Sequence, residues 1–280
     1  MNAITSVPVR RRVQTFLKHI GLYERLKASR IYDFYWSFAG PQWIIDRAKE
    51  VEFYRKTLAG LEKGDLIFDI GANEGWVTDV FLRLGARIVA VEPDETNADL
   101  VKGKFLRNRI FPKPVKVENK AVSDKTGEMT MWIESANSAL NTLNAKWADT
   151  LRHNTGRFGQ PMSFAIQKSV KTTTLEDLIS EHGSPFFIKI DVEGHEMNVL
   201  RGLRRPVPYL SFEVNLPEFE AEGVECINML EGLKTDGLFN YTADIRRGLA
   251  FERWLPRREF LGAFERCEAP AIEIFWRTRV

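Results

Sequence analysis

From residue 65 onward, short runs of β-branched and other apolar residues alternate with stretches of helical periodicity, the pattern of a parallel sheet assembled from βαβ units. The apolar runs predict strands at Leu66–Ile70, Arg87–Val91, Val115–Val122, Phe186–Asp191, Tyr209–Val214 and Ile272–Trp276. Helices are expected near 75–84, 95–108, 174–182, 194–203 and 218–234. This is an α/β fold with a mostly parallel, doubly wound sheet, expected to fill residues 61–280 as one domain. A further strand at Met129–Ile133 leads into a polar stretch, 135–167, rich in Asn, Ser, Thr and Gly. That stretch reads as a long insertion, and such loops are usually functional or disordered.

Residues 1–60 read as a helical N-terminal extension. Val9, Val13, Phe16, Leu17 and Ile20 recur at helical spacing among basic residues, which describes an amphipathic helix with a positive face. The segment holds 11 Lys/Arg against five acids, a balance of +6, so the other 220 residues sum to −4. Packing of the apolar stripe on the main domain is one reading. Peripheral contact of residues 9–30 with an anionic membrane is the other.

Composition narrows the class without naming a partner. The chain has 280 residues, 44% hydrophobic and 28% charged, and a net charge of +2, which excludes collagen-like and wholly disordered classes. Cys226 and Cys267 stand far apart with no metal-ligand spacing, so neither a disulfide framework nor a structural zinc site is expected. The longest stretch free of charge, Phe34 to Ile45, has 12 residues, short of the ~20 a spanning helix needs. Arg10-Arg11-Arg12 is not followed by the apolar run of a secretory signal. A cytoplasmic chain is the expectation, with membrane contact confined to its periphery.

The first chemical signal is Leu66-Ile-Phe-Asp-Ile-Gly-Ala-Asn-Glu-Gly75, a buried strand running through a glycine turn into a helix. Open α/β sheets bind nucleotides there. Gly71 lets a ligand approach the main chain, and Gly75 permits close entry into the helix. Glu92 ends the next strand 21 residues past Gly71, where a carboxylate can accept both hydroxyls of an adenosine ribose. A dinucleotide fingerprint would put glycines where Asn73 and Trp76 stand, so a pyrophosphate would be crowded. Asp69 and Glu74 place carboxylates beside the turn, which repels phosphate and suits the ammonium and sulfonium of S-adenosylmethionine.

The second signal is Phe186-Phe-Ile-Lys-Ile-Asp-Val-Glu-Gly-His-Glu196, a strand ending in a burst of ionisable groups. One strand later, Leu210-Ser-Phe-Glu-Val-Asn215 repeats the arrangement. Asp191, Glu193, Glu213 and Asn215 could therefore converge beside a transferable methyl. Such acids can supply a general base with a pKa raised by its neighbours. They can also offer three oxygens to a hard divalent cation. The base is the preferred reading and Asp191 the first candidate; no dedicated metal motif is present, so a divalent cation is not predicted. His195 could shuttle protons or be an ordinary polar residue. Glu196 fits the first turn of the next helix, and Lys189 either pairs with one of the acids or reaches the surface.

Taken together, these residues resemble the FkbM-type methyltransferases, a family of S-adenosylmethionine-dependent O-methyltransferases. The likeness runs from about Leu66 to Phe212. It is carried by Asp69-Ile-Gly-Ala-Asn-Glu-Gly75, Val91-Glu-Pro93, Ala121-Val-Ser-Asp124, Thr174-Leu-Glu-Asp-Leu178, Ile188-Lys-Ile-Asp-Val-Glu-Gly-His-Glu196 and Leu200-Arg-Gly202, in that order. The resemblance implies a Rossmann-like class I methyltransferase fold, with Gly71 and Asn73 beside the cofactor and Glu92 on its ribose. It places Ala121, Val122, Ser123 and Asp124 near the adenine and the Asp191 segment at the active-site border. With Asp69 and Gly75 of the turn, and with Asp191, these make up the expected cofactor-side set. The catalytic set is Asp191, Glu193, Glu213 and His195. The acceptor the resemblance implies is a hydroxyl on a sugar, a glycolipid or a natural product.

Two other readings compete. One is a non-catalytic S-adenosylmethionine-binding module recruited by its basic N-terminal helix. The other is a nucleic-acid methyltransferase, disfavoured because Asp191-Val-Glu-Gly stands where an Asn-Pro-Pro-Tyr-like motif would follow the fourth strand. No nucleic-acid partner is expected.

Overall fold

The computed structural model describes residues 41–106, 114–154, 157 and 159–278. The amphipathic segment 9–30 lies outside them, and of the N-terminal extension the structure describes residues 41–60.

Helix α1 (Pro41–Thr57) precedes β1 (Leu66–Ile70), α2 (Trp76–Arg83), β2 (Arg87–Val91), α3 (Glu95–Lys104) and β3 (Val115–Glu118). Strands β4 (Ala121–Val122) and β5 (Gly127–Ile133), helix α4 (Ala145–His153), β6 (Ile166–Thr173) and α5 (Leu175–His182) come next. The chain then alternates β7 (Phe187–Ile190), α6 (Glu196–Arg201), β8 (Tyr209–Asn215), α7 (Glu220–Leu233) and β9 (Leu238–Thr242). It ends with β10 (Leu255–Pro256), α8 (Arg257–Phe264) and β11 (Ala271–Arg277).

Eight strands form the main sheet in the order β10-β9-β11-β8-β7-β1-β2-β3. Strands β3, β2, β1, β7 and β8 run parallel, and β11 inserts antiparallel between β8 and β9. The strand order reverses at β1, and ligands bind at such a switch point outside the carboxyl ends of the strands. The expected α/β, Rossmann-like sheet is thus present.

Burial on both faces explains why the strands read as continuous apolar runs. Ile67, Ile88, Phe187, Tyr209 and Phe275 face a layer made by Phe53 and Tyr54 of α1, Phe81 of α2 and Val101 of α3. Phe68, Val89, Ile188, Phe212 and Ile274 face the other layer, with Leu178 of α5, Val199 of α6, Ile227 of α7 and Phe260 of α8. Local caps start the helices: Asp94 accepts from the Thr96 amide at 2.9 Å, and Thr174 caps α5 through the Asp177 amide at 3.0 Å.

Two expectations change. Val115–Val122 is two strands rather than one, because Asn119 turns the chain by donating to the carbonyls of Glu92 (2.9 Å) and Pro93 (3.1 Å). Beyond that turn β4 leaves the main sheet and pairs with β6 in a small sheet of order β4-β6-β5. The polar stretch 135–167 contains α4 and the first residues of β6. Asn144 caps α4 through the Trp147 amide at 3.2 Å, while Trp147, Ala148 and Leu151 bury its inner face. Strand β6 is polar because most of its residues are exposed.

Candidate active site

The turn after β1 is locked by a close approach that only glycine permits. Gly71 has φ +84°, and a Cβ there would lie 1.7 Å from the carbonyl oxygen of Asp191. The turn is thereby pressed against the loop after β7. Two residues on, Asn73 adopts a left-handed φ of 46° and its amide donates to Glu92 Oε2 at 2.7 Å. The Asp94 amide donates to Glu92 Oε1 at 2.8 Å. Burial raises the Glu92 carboxyl to about 7, against the pull of those two amides. A buried carboxylate held from behind in this way keeps further lone pairs for hydroxyl donors.

A cleft of about 770 Å³ of free space, open to solvent, runs along these strand ends. Gly71, Asn73, Glu92, Ala121, Val122, Asp191, Glu193 and Glu213 line it, together with Asn97, Ser138, Ala139 and Asn141. Asp191, Glu193 and Glu213 each offer a carboxylate oxygen, and these lie within 4.8 Å of one another.

The three acids differ in their partners. Asp191 Oδ2 receives a 2.7 Å hydrogen bond from the Lys189 ammonium, whose side chain is only 7% exposed. Glu193 Oε2 accepts from the indole of Trp147 at 3.1 Å. Burial and then the charge of Asp191 push Glu193 up to about 8. Glu213 is raised for the same reasons, burial first and then Asp191 and Glu193. Its Oε2 accepts from Asn215 at 3.2 Å, and Asn215 in turn accepts from Arg157 at 2.8 Å.

A polar row lies behind the acids in the α1-facing layer. Lys189 sits opposite Asp69 on β1 and Ser211 on β8. Thr78 donates to Asp69 at 2.5 Å and Ser211 donates to Glu273 at 2.6 Å. The Lys189 ammonium is therefore balanced by Asp191, Glu273 and Asp69, which hold its pKa above the ordinary lysine value despite burial.

The segment 134–147 straps the cleft from β2 to β7. Asn141 donates to Asp94 at 2.9 Å on one side. On the other, Thr142 donates to the Glu193 carbonyl at 2.7 Å and Asn144 to the Gly194 carbonyl. Glu193 has φ +53°, a left-handed conformation that costs a non-glycine residue roughly 1–2 kcal/mol. The two strap bonds hold that conformation and so aim the carboxylate.

Not every predicted residue reaches the cleft wall. His195 is buried, its Nε2 3.0 Å from Ser123 Oγ and its Nδ1 3.1 Å from the Asn198 amide nitrogen. Burial lowers its pKa to about 4, so it is neutral near pH 7. Ser123 is spent on the same bond and on Asp124. His195, Ser123 and Asp124 are not among the residues that line the cleft. Asp69 and Gly75 support the turn from behind, through Thr78 and as the residue that opens α2. Glu196 reaches back to the amides of Val192 (3.1 Å) and Gly194 (3.2 Å) rather than facing outward on its helix.

The residues not foreseen are Asn97, Asn141, Thr142 and Trp147. Asn144 followed by Trp147, Ala148 and Leu151 was the signal for α4, a cap ahead of helical spacing inside a polar stretch. Among the described residues, Glu118, Glu181 and His182 form another group of close donor atoms, but Lys116 and Lys120 already pair with Glu118.

A search of curated protein sequences found no match. Among solved structures, a methyltransferase FkbM from Methylobacillus flagellatus KT aligns over 81% of this chain with TM-score 0.50 and 15% identity. This chain spans about half, 47%, of that protein's length. A precorrin-6y C5,15-methyltransferase from Geobacter metallireducens GS-15 aligns over 84% of this chain and 87% of its own, at TM-score 0.41 and 9% identity. A TehB-like SAM-dependent methyltransferase from Corynebacterium glutamicum ATCC 13032 Kitasato aligns over 82% and 88%, at TM-score 0.40 and 9% identity. The profile of the methyltransferase FkbM domain matches residues 69–247, from the aspartate of the glycine turn to beyond β9, and the chain belongs to that family.

Proposed function

We propose that the chain transfers a methyl group from S-adenosylmethionine to a hydroxyl oxygen of a sugar, glycolipid or natural-product acceptor. The observation that carries this reading is one cleft joining the Gly71 turn and buried Glu92 to three carboxylates within 4.8 Å of one another.

The residues fit the donor. Gly71 brings bare backbone to the cleft, Glu92 offers lone pairs to ribose hydroxyls, and the acids complement a cationic ligand. Bound there, S-adenosylmethionine supplies an electrophilic methyl on a sulfonium. Asp191, paired with Lys189, presents negative charge to the cleft. Glu193 takes the place of the first candidate, Asp191, as the base: pushed up to about 8, it accepts a hydroxyl proton in its ionised form, which predominates above that value. Glu213 shares the proton inventory of that pair, and its link to Asn215 and Arg157 fixes its orientation. General-base assistance of this kind contributes ~10²–10⁴ in rate, and holding the reactants in line supplies much of the remainder.

A second reading rests on the same spacing. Three oxygens within 4.8 Å could hold a divalent cation that acidifies the acceptor hydroxyl. Peripheral membrane contact through residues 9–30 would suit a glycolipid acceptor, whereas nucleic acid is not the expected partner.

Calorimetric titration with S-adenosylhomocysteine, then incubation with methyl-deuterated donor and a panel of hydroxylated glycans, glycolipids and polyketides, tests the proposal. Binding and a mass gain of one labelled methyl are expected. Saturable binding without transfer to any acceptor would favour the non-catalytic module, and no binding would end the reading. Adding a chelator or Mg²⁺ to the transfer assay decides between the free base and the cation.

A further inference from the structure

We propose that Asn97 reads the nucleoside of the methyl donor, its side-chain carbonyl oxygen accepting a hydrogen bond from the adenosine moiety. The inference rests on the proposed function and names a residue outside the motifs that carry the resemblance.

Asn97 is the third residue of α3 and only 2% exposed, yet it lines the cleft beside Glu92 and Pro93. Its Oδ1 is buried and has no hydrogen-bond partner among the described residues. Its neighbours on the helix, Ala98 and Val101, are fully buried apolar residues. A leucine would therefore suit the packing, and an unpartnered buried amide costs folding free energy that a hydrocarbon of similar size does not.

Of its polar neighbours on the cleft wall, Glu92 and Asn141 already have protein partners, whereas the Asn73 side-chain oxygen is open as well. Both Glu92 oxygens take backbone amides, and Asn141 is bonded to Asp94 and to the Glu134 amide. An acceptor left open at that cost, on the wall of a cofactor cleft, is accounted for by a donor that arrives with the ligand. Adenosine carries two kinds: the exocyclic amino group and the ribose hydroxyls. Either satisfies the same oxygen, and analogues separate them.

The test uses the full chain and S-adenosylhomocysteine as probe, with S-inosylhomocysteine and a 2′-deoxyribose analogue as comparison ligands. Asn97→Leu is expected to weaken S-adenosylhomocysteine binding about tenfold while leaving the unliganded melting temperature unchanged or higher. One analogue should bind wild type about tenfold more weakly than the parent ligand, and that penalty should vanish in the variant. Asn97→Ser, smaller and still polar, keeps the comparison open should leucine disturb the helix. Equal affinity of wild type and both variants for the parent ligand, or undiminished discrimination in the variants, overturns the proposal but leaves the cofactor reading standing. Failure of wild type to bind S-adenosylhomocysteine at all removes both.

Discussion

The two walls of the cleft are built by different means. On the β1–β2 side the hydrogen bonding is local. Gly71, Asn73 and Glu92 are fixed by backbone amides and carbonyls within two consecutive βα units, and the Gly71 amide itself bonds the Val91 carbonyl at 2.9 Å. On the β7–β8 side the geometry is borrowed. The direction of Glu193 comes from Thr142, Asn144 and Trp147, about fifty residues away, and that of Glu213 from Asn215 and Arg157. A wall made of backbone should tolerate little change, whereas a wall aimed by distant side chains can be retuned one residue at a time.

The sharpest way to break this contrast is Gly71→Ala. A methyl group 1.7 Å from the Asp191 carbonyl cannot be accommodated without moving the β1 or β7 loop. Loss of S-adenosylhomocysteine binding is expected, with destabilisation of about 4 kcal/mol or more seen as a lower melting temperature. An alanine variant that binds normally would mean that the turn is not pinned as described. Next in size is Glu92→Gln. Hydrogen bonds to a charged group are worth about 1.5–3 kcal/mol each, and the new NH2 must face the Asn73 or the Asp94 amide, so affinity should fall at least about tenfold and the melting temperature should drop with it. Unaltered affinity by calorimetry would remove Glu92 from the ribose.

The same contrast explains what the sequence could reveal. The strands of the main sheet announce themselves as apolar runs buried on both faces, and the glycine turn with Glu92 is legible because its parts lie close along the chain. Strand β6 was hidden because its exposed, polar residues carry no core signal. Trp147 was hidden by the polar residues around α4, although its helical spacing with Leu151 was visible. For His195 the sequence leaves two roles open. A histidine beside acids suggests proton transfer, but its ring is occupied by Ser123 and Asn198.

On the borrowed wall the effects should be smaller and confined to turnover. Thr142→Val removes the hydrogen bond to the Glu193 carbonyl, along with the one Thr142 accepts from the Asn144 amide, and frees a backbone held at φ +53°. With an acceptor identified by the labelled-methyl screen, kcat should drop roughly tenfold, as for the loss of about 1–1.5 kcal/mol, while cofactor affinity holds. Trp147→Phe, which keeps the ring but not the indole donor, should shift the pH dependence of kcat upward, because the bond it removes favours the ionised form of Glu193. A variant that lost cofactor affinity instead would join the two walls into one unit.

The smallest effect separates the walls by pH. Burial raises Glu92 and Glu196 to about 7 and Glu193 to about 8. Between the ordinary carboxyl range and those values the native state binds more protons than the unfolded chain, so stability falls as pH rises. His195, lowered to about 4, acts in the other direction, but its contribution is complete above the ordinary histidine value of about 6.5. From pH 6.5 to 8.5 these acids should therefore lower the melting temperature of the unliganded chain. Glu92→Gln should flatten the decline around pH 7, and Glu193→Gln around pH 8, since each removes the proton that its own wall retains. A melting temperature that climbed across this interval would contradict the raised carboxyls of both walls. A decline that only the Glu193 variant altered would locate the retained protons on the borrowed wall.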